Sequence, residues 1–204
     1  NKRNNILTTE TDNLVKDARK GSAEAFGRLY ELFFDRIYRY TYYRTMHRET
    51  AEDLCSKTFL KALDSLNHFN ADKGSFSSWI YRIASNSVTD YFRSSVRKES
   101  PADVWEIPSE EDHVVDVHNR MYWEKLKPAL MSLPSDKREI IMLRIWDDLS
   151  FAEIARITGK SEASCKMSFG RTLKHLKNTV PLSLYLLFIS FTTCINAEII
   201  NRSI

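Results

Sequence analysis

The stretch SFAEIARITGKSEASCKMSFGRTLKHLK, residues 150–177, constrains the fold more than any other part of the chain. Ser150 followed three residues on by Glu153 is a capping box, and Phe151, Ile154, Ala155 and Ile157 then share one face of a short helix. Gly159 supplies the left-handed backbone at which that helix stops. Ser161 caps the next helix, in which Cys165, Phe169, Leu173 and Leu176 recur at steps of three and four while Lys166, Arg171, Lys174 and Lys177 lie off that stripe. This is a helix-turn-helix whose second helix is apolar on one side and cationic on the other, a shape that suits a DNA major groove. The same geometry occurs in proteins that never meet DNA. Here, however, Arg156, Lys160, Lys166, Arg171, Lys174 and Lys177 are set against the single acid Glu162, a bias that favours a polyanionic partner.

Upstream, from Asp12 to Lys98, the pattern is helical almost throughout, punctuated at Gly21 and at an Asn70–Ser75 turn containing Asp72 and Gly74. Phe26, Leu29, Tyr30, Phe33, Ile37 and Tyr40 form one apolar stripe, and Ala51, Leu54, Cys55, Thr58, Phe59, Ala62 and Leu66 a second; both are expected to be core. Thr50 with Asp53 is expected to cap the second of these helices, with Glu49 and Glu52 suiting its dipole. Ser77 is expected to cap a third long helix, in which Trp79, Ile80, Ile83, Ala84, Val88 and Tyr91 turn inward and Arg82, Asn86, Arg93 and Arg97 are left for solvent or a ligand.

Residues 99–116 carry Glu99, Asp103, Glu106, Glu110, Glu111, Asp112 and Asp116 without a Lys or Arg, and Pro101 and Pro108 interrupt any helix, so they read as an acidic flexible linker. A helical pattern resumes at Val117 with Met121, Trp123, Leu126, Ala129 and Leu130, breaks at Leu133-Pro134, and restarts at Ser135 through Ile140, Ile141, Leu143 and Ile145. The expected fold is therefore all-α: two small helical domains, 1–98 and 117–179, joined by the linker and followed by a tail, 180–204. In that tail Leu182 to Ile195 is nearly all apolar, short of the roughly 20 residues a membrane span needs, and Asn196 and Glu198 end the run. A packing helix, a membrane contact through residues 182–200 and a sequence foreign to the fold all remain open for it.

At 204 residues and 43% hydrophobic content the chain can bury two small cores, and a net charge of +3 means that any nucleic-acid affinity depends on where the charges sit. Cys55, Cys165 and Cys194 are odd in number and far apart, which fits a reducing compartment and core thiols. The polar start NKRNN carries no apolar signal core, so a cytoplasmic protein is expected. His113, His118 and His175 have no Cys pair nearby, so no metal or other cofactor is expected. No GxSxG, GxxxxGK[ST] or HExxH is present, and Asp147-Asp148 lies in a turn where acids serve caps, so an enzyme is not expected.

Four segments occur in the order found in sigma factors of the extracytoplasmic-function (ECF) group of the sigma-70 family: EAFGRLYELF (24–33), AEDLCSKTFLKAL (51–63), KGSFSSWIYRIASNSVTDYFR (73–93) and the run from Leu133 to Leu176. The chain resembles that family from about Leu14 to Lys177. The resemblance implies a factor that directs promoter-specific transcription initiation by core RNA polymerase, with the β′ clamp helices and β flap as docking partners and an anti-sigma factor as a further one. It implies that the helix from Ala51 to Leu66 docks on the clamp helices, with Asp53, Lys57, Phe59, Leu60, Lys61 and Asp64 as contact residues. It implies that 70–97 melt the minus-10 element, Arg82, Asn86 and Arg93 meeting phosphate or base edges and Phe76 or Tyr91 offering a ring for stacking. It implies that the helix from Ser161 reads the minus-35 element through Ser161, Ser164, Lys166, Ser168, Arg171 and Lys174. The chain departs from the family where Ser168 replaces a frequent basic residue and Cys165 an aliphatic one, and Gly170 lowers helix propensity by about 1 kcal/mol against Ala. In the family the linker threads the RNA exit channel, so this acidic strand is either an RNA mimic or an inert tether.

An autonomous DNA-binding regulator would need only the carboxy-terminal half, and a helical adaptor would need neither basic face. The paired helices at 51–66 and 79–97 favour the sigma factor.

Overall fold

The computed structural model describes residues 2–95 and 128–181, with side chains for 10–94 and 128–181. The linker 99–116, the helical pattern at 117–127, Cys194 and the apolar tail lie outside the described residues. The chain divides into two compact units, Asn1–Pro108 and Ser109–Ile204. Among the described residues every regular element is a helix, as the periodicity requires.

In the first unit α1 (Lys2–Arg19), α2 (Ala23–Thr45), α3 (Arg48–Ser65) and α4 (Phe76–Ser95) pack together, with two 3₁₀ turns, Leu66–His68 and Ala71–Lys73, between α3 and α4. Leu29, Phe33, Ile37 and Tyr40 of α2 are buried as the stripe predicts, and Ala25 joins them, whereas Phe26 is half-buried and Tyr30 is exposed. Ala51, Leu54, Cys55, Thr58, Phe59 and Ala62 of α3 and Ile80, Tyr81, Ala84 and Val88 of α4 complete the core. Each large apolar side chain so buried contributes about 1.5–3 kcal/mol. The rings interlock edge to face, Tyr40 on Tyr81 at 5.4 Å and Phe33 on Phe76 at 5.3 Å between centroids. Thr41, fully buried, shares its one hydroxyl hydrogen among the carbonyls of Tyr38 (2.9 Å), Ile37 (3.0 Å) and Ala51 (3.1 Å), the last of which ties α2 to the start of α3.

Two helix starts differ from the sequence expectation. The cap of α3 is His47, whose Nδ1 accepts from the Thr50 amide at 3.2 Å; Thr50 already lies inside the helix, and Asp53 is a full turn in, paired with Lys57. The chain reverses at Met46, which takes a left-handed backbone with φ 55°, and that places His47 rather than Thr50 in the extended capping conformation. Helix α4 likewise begins at Phe76, and Ser75 Oγ accepts from the Ser78 amide at 3.2 Å, so Ser75 and not Ser77 is the cap.

The second unit holds α5 (Ser135–Ile145), α6 (Phe151–Thr158) and α7 (Glu162–Thr179), preceded by a helical turn at 128–131. Ile140, Ile141, Leu143, Ile154, Ile157, Cys165 and Leu176 form its core with Leu130 and Leu133, while Phe151, Ala155, Phe169 and Leu173 are half-buried. Thr172, buried at the centre of the α7 stripe, turns its hydroxyl back to the Ser168 carbonyl at 2.8 Å and so needs no other partner.

Ser75→Ala removes a side-chain cap and should lower the opening free energy of the Ser78 amide by about 1 kcal/mol in hydrogen exchange of the full chain. Ser77→Ala, which touches no cap bond, should leave that amide unchanged; equal effects of the two would return the cap to Ser77.

Candidate polymerase and promoter interfaces

On α3 the buried stripe leaves Asp53, Lys57, Leu60, Lys61 and Asp64 on the outer side. Lys57 pairs with Asp53 one turn away, and Lys61 Nζ reaches Ser87 Oγ on α4 at 3.2 Å. Leu60 is 62% exposed, and Leu63, which the sequence reading did not single out, is 50% exposed. Phe59 is not available to a partner: it is 5% exposed, with its ring held by Tyr30 at 4.7 Å and Phe34 at 6.4 Å. The partly exposed Tyr30 ring therefore extends this apolar ground beyond α3. Leu63 was legible as a leucine off the core stripe of an amphipathic helix, a place where burial within the chain does not explain it.

On α4, Arg82, Asn86 and Arg93 are all exposed, and Thr89 falls between them in the same run of four- and three-residue steps, so one side of the helix carries Arg82, Asn86, Thr89 and Arg93. Arg93 is tied to Asp90 at 2.7 Å. The two rings named beside them go elsewhere. Phe76 is 1% exposed, packed on Phe33, Phe69 and Trp79, and is core. Tyr91 sits about half a turn from the Arg82 side, where it lines a cleft of about 590 Å³ with Leu54, Lys57, Lys61 and Ser87, and the Arg93 side chain, drawn over by Asp90, leans from the Arg82 side to the edge of that cleft. The ring that shares the Arg82 side is Trp79, three residues before it, half-buried against Phe69 at 5.3 Å and Phe76 at 5.5 Å.

In the second unit the capping box forms in full: Ser150 Oγ accepts from the Glu153 amide at 3.2 Å, and a Glu153 carboxylate oxygen accepts from the Ser150 amide at 2.9 Å. Gly159 ends α6 with φ 70°, and Ser161 Oγ accepts from the Ser164 amide at 3.2 Å to start α7. The Ser161 hydroxyl is thus spent on the helix start, where Ser164 contributes only its backbone amide, and Ser164 and Ser168 are half-buried. Lys166, Arg171 and Lys174 are exposed.

Two long side chains tie the helix-turn-helix to α5. Arg144 donates to the Leu149 carbonyl at 2.9 Å, meets Asp148 at 3.3 Å and lies 5.3 Å from the Phe151 ring centre, so α5 fixes the entry to α6. Phe151 in turn meets Phe169 of α7 edge to face at 5.5 Å. Asp148 has φ 48° in that turn and is paired with Arg144, which fits the structural reading of Asp148. Lys160, in the turn itself, pairs with Asp136 of α5 at 2.6 Å. That hydrogen bond holds the Asp136 carboxyl below its usual value of 3.8 despite partial burial. Cys55 is sealed in the core, where burial and then the charge of Asp35 push its thiol up to about 12; it is a packing residue rather than a nucleophile.

Because the folded Asp136 carboxyl is the stronger acid, the stability it lends is complete above pH 3.8 and is lost as the pH falls below that value. Asp136→Asn should therefore unfold at lower urea than the parent at pH 7, by a small margin since the pair is solvent-exposed. The two midpoints should converge as the pH falls well below 3.8, and a gap that persists there would mean the pair is not its source.

Residues 29–98 match Sigma-70 region 2, and residues 124–176 match Sigma-70 region 4. The ECF RNA polymerase sigma factor BldN of Streptomyces coelicolor is 38% identical over 174 residues, covering 82% of this chain and 65% of the relative, just under two thirds of its length. The RNA polymerase sigma factor YlaC of Bacillus subtilis is 29% identical over 163 residues, covering 76% of this chain and 91% of the relative. Among solved structures, the sigma factor RpoE of Bartonella quintana, in complex with the anti-sigma factor NepR, has a TM-score of 0.65 at 22% identity, covering 76% of this chain and 96% of that one, a likeness of fold. With both regions matched in order and an ECF relative at this identity, the chain belongs to the ECF group of the sigma-70 family.

Proposed function

We propose that this chain binds core RNA polymerase and directs it to a set of promoters as an alternative sigma factor, working in the cytoplasm where both partners are. The observation that carries the reading is the pairing of two family-matched helical units, each of which buries one stripe of a helix and leaves a cationic side outward. It is an initiation factor and not an enzyme.

The outer side of α3 is the polymerase surface. Leu60 and Leu63, with the Tyr30 ring, supply the apolar centre, while Asp53, Lys57, Lys61 and Asp64 supply a charged rim that sets register and on-rate more than affinity. The outer side of α4 takes the unpaired strand of the minus-10 element: Arg82, Asn86, Thr89 and Arg93 meet its phosphates and base edges, and Trp79 offers the ring on that side. Helix α7 enters the major groove of the minus-35 element with Lys166, Arg171 and Lys174 toward the DNA and its capped amino end toward a phosphate. The division fits domains over 1–98 and 117–179 joined by the acidic residues 99–116, which serve either as an RNA mimic in a cationic channel of the polymerase or as an inert tether. The RpoE complex with the anti-sigma factor NepR supports an anti-sigma partner for this chain as well.

Run-off transcription decides the matter: core polymerase should give promoter-specific RNA only when the full chain is added. Tight duplex binding without polymerase, and no such RNA, would make it an autonomous regulator. Arg171→Ala should cost about 1–3 kcal/mol at promoters that depend on the upstream element and nothing at those that do not. Leu60→Asp should weaken the complex with core polymerase by about 2 kcal/mol or more while leaving the helical content unchanged; an unaltered affinity would move the docking surface off α3.

A further inference from the structure

Met167 is an exposed apolar side chain in the middle of the cationic side of α7. It is 56% exposed, while Cys165 and Leu176 on the core side are fully buried. At about 100° per residue Met167 lies roughly opposite that core stripe, and Ala163, Arg171 and Lys174, at four before, four after and seven after, share its face. Gly170, on the next turn, carries no side chain, and a Cβ built there would meet nothing within 4 Å, so the thioether has open space beside it. Packing among the described residues does not account for a large apolar group here, and the cations around it do not suit an apolar protein partner.

We propose that Met167 is a specificity-determining residue that packs against the C5-methyl of a thymine in the upstream promoter element. This rests on the reading of α7 as the duplex-reading helix and deepens it. The thymine methyl is the apolar feature of the major-groove edge, and the flanking cations draw the phosphates on either side of the groove toward the same face. Methionine suits the task because its unbranched, polarisable chain adapts to the methyl without a fixed rotamer. The same placement assigns Ser168, at the edge of the core, a lesser part in base choice than its neighbour Met167.

Holoenzyme made from core polymerase and the full chain is used to select promoters from a pool with a randomised upstream element. Each thymine of the selected element is then replaced singly by deoxyuridine, which removes only the methyl. The expected result is one position at which deoxyuridine lowers open-complex formation by about fourfold, the worth of one buried methyl. Met167→Ala should abolish that sensitivity and Met167→Leu should retain it. Indifference to deoxyuridine at every position, or the same fourfold loss in Met167→Ala, overturns the role of Met167 while leaving α7 as a reader. A pool that returns no upstream preference overturns the reading of α7 and this inference with it.

Discussion

Burial of one stripe along α4 and one along α7 sets the direction in which every cation of those two helices points. Ile80, Ala84 and Val88 fix the rotation of α4, and Cys165, Thr172 and Leu176 fix that of α7. With the helix unable to turn about its axis, Arg82, Asn86, Thr89 and Arg93 are held on one line and Met167, Arg171 and Lys174 on another. The free energy comes from apolar burial, which is nondirectional, but the helical period converts it into an orientation. A substitution that disturbs the buried stripe therefore acts on the interface without touching it.

The ion pairs on these surfaces are cheap to break. Asp90 with Arg93 and Asp53 with Lys57 are all more than half exposed, the class of pair that contributes at most about 1 kcal/mol. Such a pair holds the cation in place and keeps it from wandering, yet yields it to a phosphate or a partner carboxylate at little cost. Lys160 differs in kind, because Asp136 holds it to α5 across a wide gap in sequence and so gives it a place in the frame of the unit rather than in its contact surface. Counting basic residues between Arg156 and Lys177 overstates the charge offered to DNA for that reason.

What was legible in the sequence was what is decided locally or by period. The capping box at Ser150 and Glu153, the stop at Gly159 and the cap at Ser161 each depend on a few adjacent residues, and all three form as expected. The starts of α3 and α4 were misplaced because the preceding backbone decides which polar residue is extended. The left-handed Met46 hands the cap to His47, and the turn ending at Gly74 hands it to Ser75. The resemblance placed Phe59 and Phe76 at interfaces, whereas Tyr30 and Phe33 from α2, and Phe69 from the turn before α4, cover them, which fits the core stripe that periodicity gave Phe59. Leu63 and Met167 were missed for the opposite reason: a search for polar contact residues passes over an apolar side chain, although its place off the core stripe was visible in the pattern.

On the proposed reading, a chain of net charge +3 that meets DNA through a few cations on each of two small helical units has little affinity to offer at either surface alone. Each phosphate contact releases counterions, so both surfaces weaken together as salt rises. Selectivity for a promoter then comes from engaging both surfaces at once, which requires that each be presented at a fixed spacing. Polymerase provides that spacing on the proposed reading, since docking through α3 turns the second engagement into an intramolecular event with an effective concentration rather than a bulk one. Weak single contacts are in this sense a requirement and not a defect. A surface that bound tightly by itself would hold the chain on duplex lacking the other element, and the discrimination between promoters would fall with every increment of that affinity.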